Sequence, residues 1–207
     1  MTVELDKKNI DIKAVAKKAL KDNKLLAELL ENLRSKKENI RYNSHKVLYL
    51  ITEEHPQKLY PKWDYLAKFL DSDNTYHKLS AVHLLANLTK VDKNNKFEKI
   101  FAKFYGLLED KSFITAAYVC GVSGKIALAK PKLQTKITNR LLKIDKTHHQ
   151  QERKDLVKAS IIEAFEQYFD QAKNKKKITE FVRQQLNCQS PKTKKAAKKF
   201  LKRIDTN

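Results

Sequence analysis

The sequence is poor in the residues that punctuate a chain. Three glycines and four prolines are spread over 207 positions. No run alternates apolar with polar residues, so the hairpins and turn clusters of a sheet protein are missing. Cysteine is scarce as well: Cys120 and Cys188 stand far apart without a CxxC companion. That argues against a disulfide framework or a structural zinc, and it fits a reducing, cytoplasmic setting. Long apolar runs are also lacking. No segment approaches the roughly 18 apolar residues that cross a bilayer, and Met1 to Leu20 is charged throughout, without the apolar stretch of a leader. Acidic residues are outnumbered, 24 Asp and Glu against 44 Lys and Arg, for a net charge of +20. A field of that size attracts nucleic acid, an acidic protein surface or an anionic membrane. Arginine supplies only six of the basic residues. Arginine is the usual bidentate reader of guanine, so a nucleic-acid partner is expected to be held by its phosphates, with little sequence preference.

What the sequence does contain is helical periodicity. Apolar residues at i, i+3, i+4 and i+7 mark one face of a helix. One series reads Leu26/Leu29/Leu30/Leu33, Trp63/Leu66/Ala67/Leu70, Phe101/Phe104/Tyr105/Leu108, Ile137/Arg140/Leu141/Ile144 and Ile178/Phe181/Val182/Gln185. A second series interleaves with it: Ser44/Val47/Leu48/Ile51, Ala81/Leu84/Leu85/Leu88, Val119/Val122/Ser123/Ile126, Ile161/Ala164/Phe165/Tyr168 and Ala197/Phe200/Leu201/Ile204. Steps between members of the second series are 37, 38, 42 and 36 residues. Within each step Asp, Ser or Asn breaks the pattern, as in Asp71-Ser72-Asp73-Asn74. Two amphipathic helices joined by such a turn cannot bury their stripe alone and need neighbouring copies. A short basic helix over Ile10–Leu20, with Ile12, Val15, Ala16 and Ala19 on its apolar side, precedes the series.

The turn-plus-second-helix segments DKSFITAAYVCGVSGKIA (Asp110–Ala127) and KDLVKASIIEAFEQY (Lys154–Tyr168) resemble HEAT repeats. The resemblance implies one all-α domain over residues 1–207, a right-handed α-solenoid of about five HEAT-like antiparallel pairs (about 25–53, 57–90, 96–129, 131–170 and 174–204) plus an N-terminal helix. It also implies a curved, armadillo-like binding scaffold. A group of bacterial DNA glycosylases with HEAT-like repeats lines its groove with Trp and Asp. Here the single Trp63 occupies a core position.

Three residues before each leading core position of the second series stand Arg41, Lys78, Ala116, Lys158 and Lys194. Stacked repeats would bring these into one row, either as a structural ladder against turn aspartates such as Asp73 or facing a ligand. Lys192, Lys194, Lys195, Lys198, Lys199, Lys202 and Arg203 surround the last apolar stripe. A terminal repeat needs a polar cap but not one of a single sign, so Arg41, Lys78, Lys158, Lys194, Lys195, Lys198, Lys199 and Lys202 are the expected anion-binding set. Ala116, Cys120, Gly121 and Gly124 leave one side of the third second helix nearly bare, which would suit a close approach by a neighbouring helix or by a ligand. Basic and aromatic residues interleave at helix starts, in Arg41-Tyr42 and Tyr76-His77-Lys78, and a helix N-terminus beside a cation is a ready phosphate seat. His148-His149 lies in the longest insertion, Asp145–Glu152, and is expected in a solvated loop, since no Cys or carboxylate companions at metal-ligand spacing accompany it.

No nucleophile, base or metal set with recognisable spacing is present, so neither a catalytic residue nor a cofactor or metal site is expected. The expectation is a non-catalytic scaffold with a basic concave face and a basic C-terminal cap. Its partner is an anionic macromolecule, nucleic acid first. The alternatives are an adaptor for an acidic protein and, last, a HEAT-like DNA glycosylase.

Overall fold

In the computed structural model, which describes residues 5–206, every regular element among the described residues is a helix. The first four residues of the charged N-terminal stretch and Asn207 lie outside them. Helices form where the apolar period is 3.6, and the side chain of an Asp, Asn or Ser caps the start of some of them. Asp11 Oδ1 accepts from the Ala14 N–H at 2.9 Å and opens α1 (Ile12–Lys21). Asp22 Oδ1 accepts from the Lys24 and Leu25 N–H groups and opens α2 (Asn23–Asn32). Each such cap satisfies donors that the helix itself leaves orphaned. Next come α3 (Glu38–Glu54), the four-residue α4 (Pro56–Leu59), α5 (Trp63–Ala67), α6 (Thr75–Leu88) and α7 (Lys96–Gly106). The chain continues through α8 (Phe113–Ala129), α9 (Gln134–Leu141), α10 (Gln151–Tyr168), α11 (Lys175–Gln184) and α12 (Pro191–Asp205). Proline is confined to helix starts, where no ladder hydrogen bond is lost: Pro56 opens α4 and Pro191 opens α12. Ser190 Oγ caps the latter by accepting from the Thr193 N–H at 3.3 Å.

Where one array over residues 1–207 is expected, the chain divides into two compact units, Met1–Lys99 and Ile100–Asn207, the division falling within α7. In the first unit α3 lies between α1 and α6, with α2 packed on α1 and α3, and α5 on α6. In the second, α10 lies between α8 and α12, with α9 against α8 and α11 against α12. The cores are the two periodic series. Ser44, Val47, Leu48 and Ile51 of α3, and Ile161, Ala164, Phe165 and Tyr168 of α10, are all at most 1% exposed. The Trp63 stripe, expected as one helix, is divided, with Trp63, Leu66 and Ala67 in α5 and Leu70 in a 3-10 turn over Lys68–Asp71.

One turn recurs. A 3-10 segment tightens the helix end, and the next residue is extended, its N–H donating to the carbonyl three residues back. This holds for Ser72 (ψ 143°, to Phe69), Asp110 (ψ 144°, to Leu107), Thr147 (ψ 158°, to Ile144) and Cys188 (ψ 164°, to Gln185). Ser35, Ser72 and Asp110 also accept, through a side-chain oxygen, the N–H two residues on, at 3.1, 3.1 and 2.8 Å.

Candidate functional site

The expected row of cations is differently employed at each position. Arg41 on α3 donates from Nη1 to the Ser35 carbonyl at 2.9 Å, and its guanidinium carbon stands 4.1 Å from the centre of the Tyr76 ring on α6. Lys78, at 7% exposure, offers a partner little surface. Ala116 is fully buried. Lys158 corrects the expectation outright. The residue is 5% exposed, and its ammonium sits 2.7 Å from Asp145 Oδ1 and 3.0 Å from Asp155 Oδ1. Burial alone would lower its pKa, but the hydrogen bonds to Asp145 and Asp155 outweigh that and raise it. Asp155 also accepts from Gln151 Nε2 at 2.7 Å and from the Gln189 N–H at 3.3 Å. The Thr193 hydroxyl donates to the Asp155 carbonyl. Lys158 therefore belongs to a buried bracket that ties the start of α10 to the start of α12. A buried ammonium must be neutralised where it lies: Asp155 does so from i−3 on the same helix, and Asp145, thirteen residues away, from the preceding turn, the ladder reading of the row rather than the ligand-facing one.

The remaining cations of the expected set lie on α12. On α12, Ala197 and Phe200 are fully buried, Lys194 is half-buried, and Lys195, Lys198, Lys199 and Lys202 are exposed. Glu166 approaches Lys199 at 3.4 Å, and Asp170 approaches Arg203 at 3.3 Å. Both pairs are largely solvated and contribute little to stability. The second unit as a whole holds 24 Lys and Arg against 10 Asp and Glu, the first 20 against 14.

The bare side of α8 is not an open four-residue seat. Ala116 and Cys120 face the interior at 0% exposure, and burial pushes the Cys120 thiol up to about 12, leaving it unreactive at neutral pH. Gly124 is buried beneath Gln167 of α10, whose side chain lies 2.6 Å from where a Cβ would stand. Only Gly121 is exposed, with nothing near its missing Cβ. The histidine pair is likewise more engaged than a solvated loop. His148 Nδ1 lies 3.0 Å from Glu109 Oε2, and that hydrogen bond leads the causes that hold Glu109 below its ordinary carboxylate value. His149 is buried, its Nε2 donating to the Leu108 carbonyl at 2.9 Å. Among the described residues, no group of three or more His, Cys, Asp or Glu is placed to hold a metal ion, and no helix is long and apolar enough to cross a membrane.

A feature missed from the sequence lies in the first unit. Residues of α1, α3 and α6 wall an open groove of about 630 Å³, lined among others by Lys13, Tyr42, His45, Lys46, Tyr49 and His83. The ring centres of His45, Tyr49 and His83 are 5.6 to 6.3 Å apart. Lys46 Nζ is 4.3 Å from the centre of the Tyr42 ring, and Tyr42 and Tyr76 are 51% and 48% exposed. Arg41-Tyr42 was the one available signal. His45 and His83 stand 38 residues apart, and their meeting depends on packing α3 against α6.

No protein-family model and no curated protein matches this chain. Among solved structures, the crystal structure of an engineered protein from the Northeast Structural Genomics Consortium is similar to it. That match has 16% sequence identity, covers 94% of this chain and 89% of that chain, and has a TM-score of 0.48.

Proposed function

We propose that the chain is a binding scaffold of HEAT-like helix pairs that holds an anionic macromolecule, nucleic acid, through its phosphates and without reading sequence. The repeat reading, a right-handed solenoid, is supported by the turn that returns at Ser72, Asp110, Thr147 and Cys188. The observation that carries the function is the α12 face. Lys195, Lys198, Lys199 and Lys202 are exposed on the unit whose basic residues outnumber its acidic ones by 24 to 10. Like charges at this density destabilise a helix by a few tenths of a kcal/mol per i, i+4 pair, a cost that an anionic partner offsets.

The test is a titration of the full chain with a labelled random duplex at several salt concentrations. Tight binding at about 50 mM salt is expected, with a log–log slope of about −0.9 for each phosphate neutralised and no dependence on sequence. Absence of binding at that salt would overturn the proposal. An acidic protein partner has one observation in its favour: Ile114, Leu128 and Leu156 of the second unit are 44 to 53% exposed. That reading requires no duplex binding at low salt.

A further inference from the structure

The lysine face of α12 cannot tell one polyanion from another, but the groove of the first unit can. Its charge is arranged along α3. Arg41 lies near the N-terminal end of that helix, outside the groove's lining, Lys46 lies midway along it, Lys13 stands on the facing helix, and Glu53 lies toward the C-terminal end. A phosphate chain is therefore drawn to the Tyr42 end and repelled from the other.

The floor between those charges is aromatic and neutral. Burial, with the nearby His83 adding to it, pushes the His45 pKa down to about 3, so the ring carries no charge at neutral pH. Ser80 Oγ donates to the Tyr76 carbonyl at 3.1 Å and lies 3.2 Å from His45 Nδ1. An uncharged floor of rings has no pull on phosphate. It offers stacking surface, the feature by which unpaired bases are held regardless of sequence. About 630 Å³ is room for planar heterocycles, whereas the bases of a duplex are stacked inside it and cannot enter.

We propose that this groove seats unpaired bases of a single-stranded nucleic acid, stacked on Tyr42 and against the Tyr49 and His83 rings. Its phosphates lie at Lys46 and Lys13. The assignment rests on the scaffold reading above and adds a strand preference to it. The α12 face supplies attraction common to both forms, and the groove supplies the discrimination.

The test measures binding of the full-length chain to a labelled oligothymidylate of about 15 nucleotides, to a duplex of equal length and to poly-glutamate. Wild type, Tyr42→Ala and Tyr42→Phe are compared. Tyr42 is half exposed, so its truncation leaves the core intact. Tyr42→Ala is expected to weaken single-strand binding about ten-fold while leaving duplex binding unchanged, and Tyr42→Phe, which keeps the ring, to bind as wild type. Wild-type binding to both nucleic acids that Tyr42→Ala leaves unaltered, or weakens equally, overturns the groove assignment and leaves the scaffold reading standing. Failure of the wild type to bind either nucleic acid overturns both. A ten-fold loss of poly-glutamate affinity in Tyr42→Ala assigns the groove to polyanions at large and overturns base stacking.

Discussion

The two units present different chemistry to solvent. In the first, two of the exposed large side chains are Tyr42 and Tyr76, and each has a cation over its ring, Lys46 at 4.3 Å and Arg41 at 4.1 Å. In the second, the exposed large apolar side chains among the described residues are the aliphatic Ile114, Leu128 and Leu156, and Lys195, Lys198, Lys199 and Lys202 are exposed on α12. Bare lysines act over about a Debye length and respond to any polyanion. Rings beside cations act only at close range, and only on something flat. The units also differ in how they treat charge internally. The second holds the buried Lys158 between two carboxylates, whereas the first buries Asp92, which accepts from the Lys96 and Phe97 N–H groups and the Tyr60 hydroxyl, together with Lys78 and the neutral His45.

The largest effect expected from that contrast is on stability. Lys158→Met leaves Asp155 buried beside an apolar chain and should cost about 3 kcal/mol at pH 7, read as a fall in the urea midpoint by circular dichroism. The pH dependence has a definite sign. Burial alone would raise the Asp155 pKa, but hydrogen bonds from Lys158, Gln151 and the Gln189 N–H outweigh it and hold the carboxyl below its ordinary value. A depressed carboxyl stabilises the fold above its unfolded pKa of about 4 and loses that contribution as pH falls through the folded value. The raised Lys158 contributes fully below its unfolded pKa of about 10. The gap between wild type and variant should therefore be widest between those limits and narrow in acid. Trp63, the only tryptophan, is buried in the first unit. If its emission shifts by the same amount as the dichroism, the energetic contrast between the units disappears.

Binding should separate the units next. Replacing Lys195, Lys198, Lys199 and Lys202 together with Glu is expected to weaken duplex and single-strand binding alike, by about 100-fold at 0.1 M salt. The log–log slope should become shallower by about 0.9 for each phosphate that is no longer neutralised. A weakening confined to single strands would place the discrimination on α12 and reverse the roles assigned to the two units.

The helices, their buried faces and the α12 cap were legible because they are local. A 3.6-residue period is written in neighbouring residues, and the stripe it marks on α12 is buried at Ala197 and Phe200. The candidate site was legible only where exposure follows from composition, as with Lys195 and Lys198. Lys158 misled because spacing shows its i−3 partner Asp155 but neither its burial nor the approach of Asp145 from the preceding turn, and the groove escaped because His45, His83 and Lys13 converge only after α1, α3 and α6 pack. Charge patterns reveal how many cations a face holds, not which of them the chain neutralises itself.

The smallest effect concerns the two glycines of α8, which the sequence treats as one feature and the structure separates. A helical glycine costs about 1 kcal/mol relative to alanine where the added methyl meets no obstacle. Gly121 meets that condition, with nothing within 4 Å of its Cβ position, so Gly121→Ala should raise the urea midpoint by an amount equivalent to about 1 kcal/mol. At Gly124 the same methyl would fall 2.6 Å from Gln167 Cδ. Gln167 is exposed and holds only a long 3.4 Å bond to the Glu163 carbonyl, so it can swing aside. The helix gain and the cost of moving that side chain then roughly cancel, and Gly124→Ala should leave the midpoint within about 0.5 kcal/mol of wild type. Nucleic-acid affinity measured on the same two proteins decides what the bare surface is for. Unchanged affinity in both reduces it to helix packing. A Gly121→Ala protein that is more stable yet binds more weakly would mark α8 as a third binding surface, on the unit whose recognition otherwise rests on lysine alone.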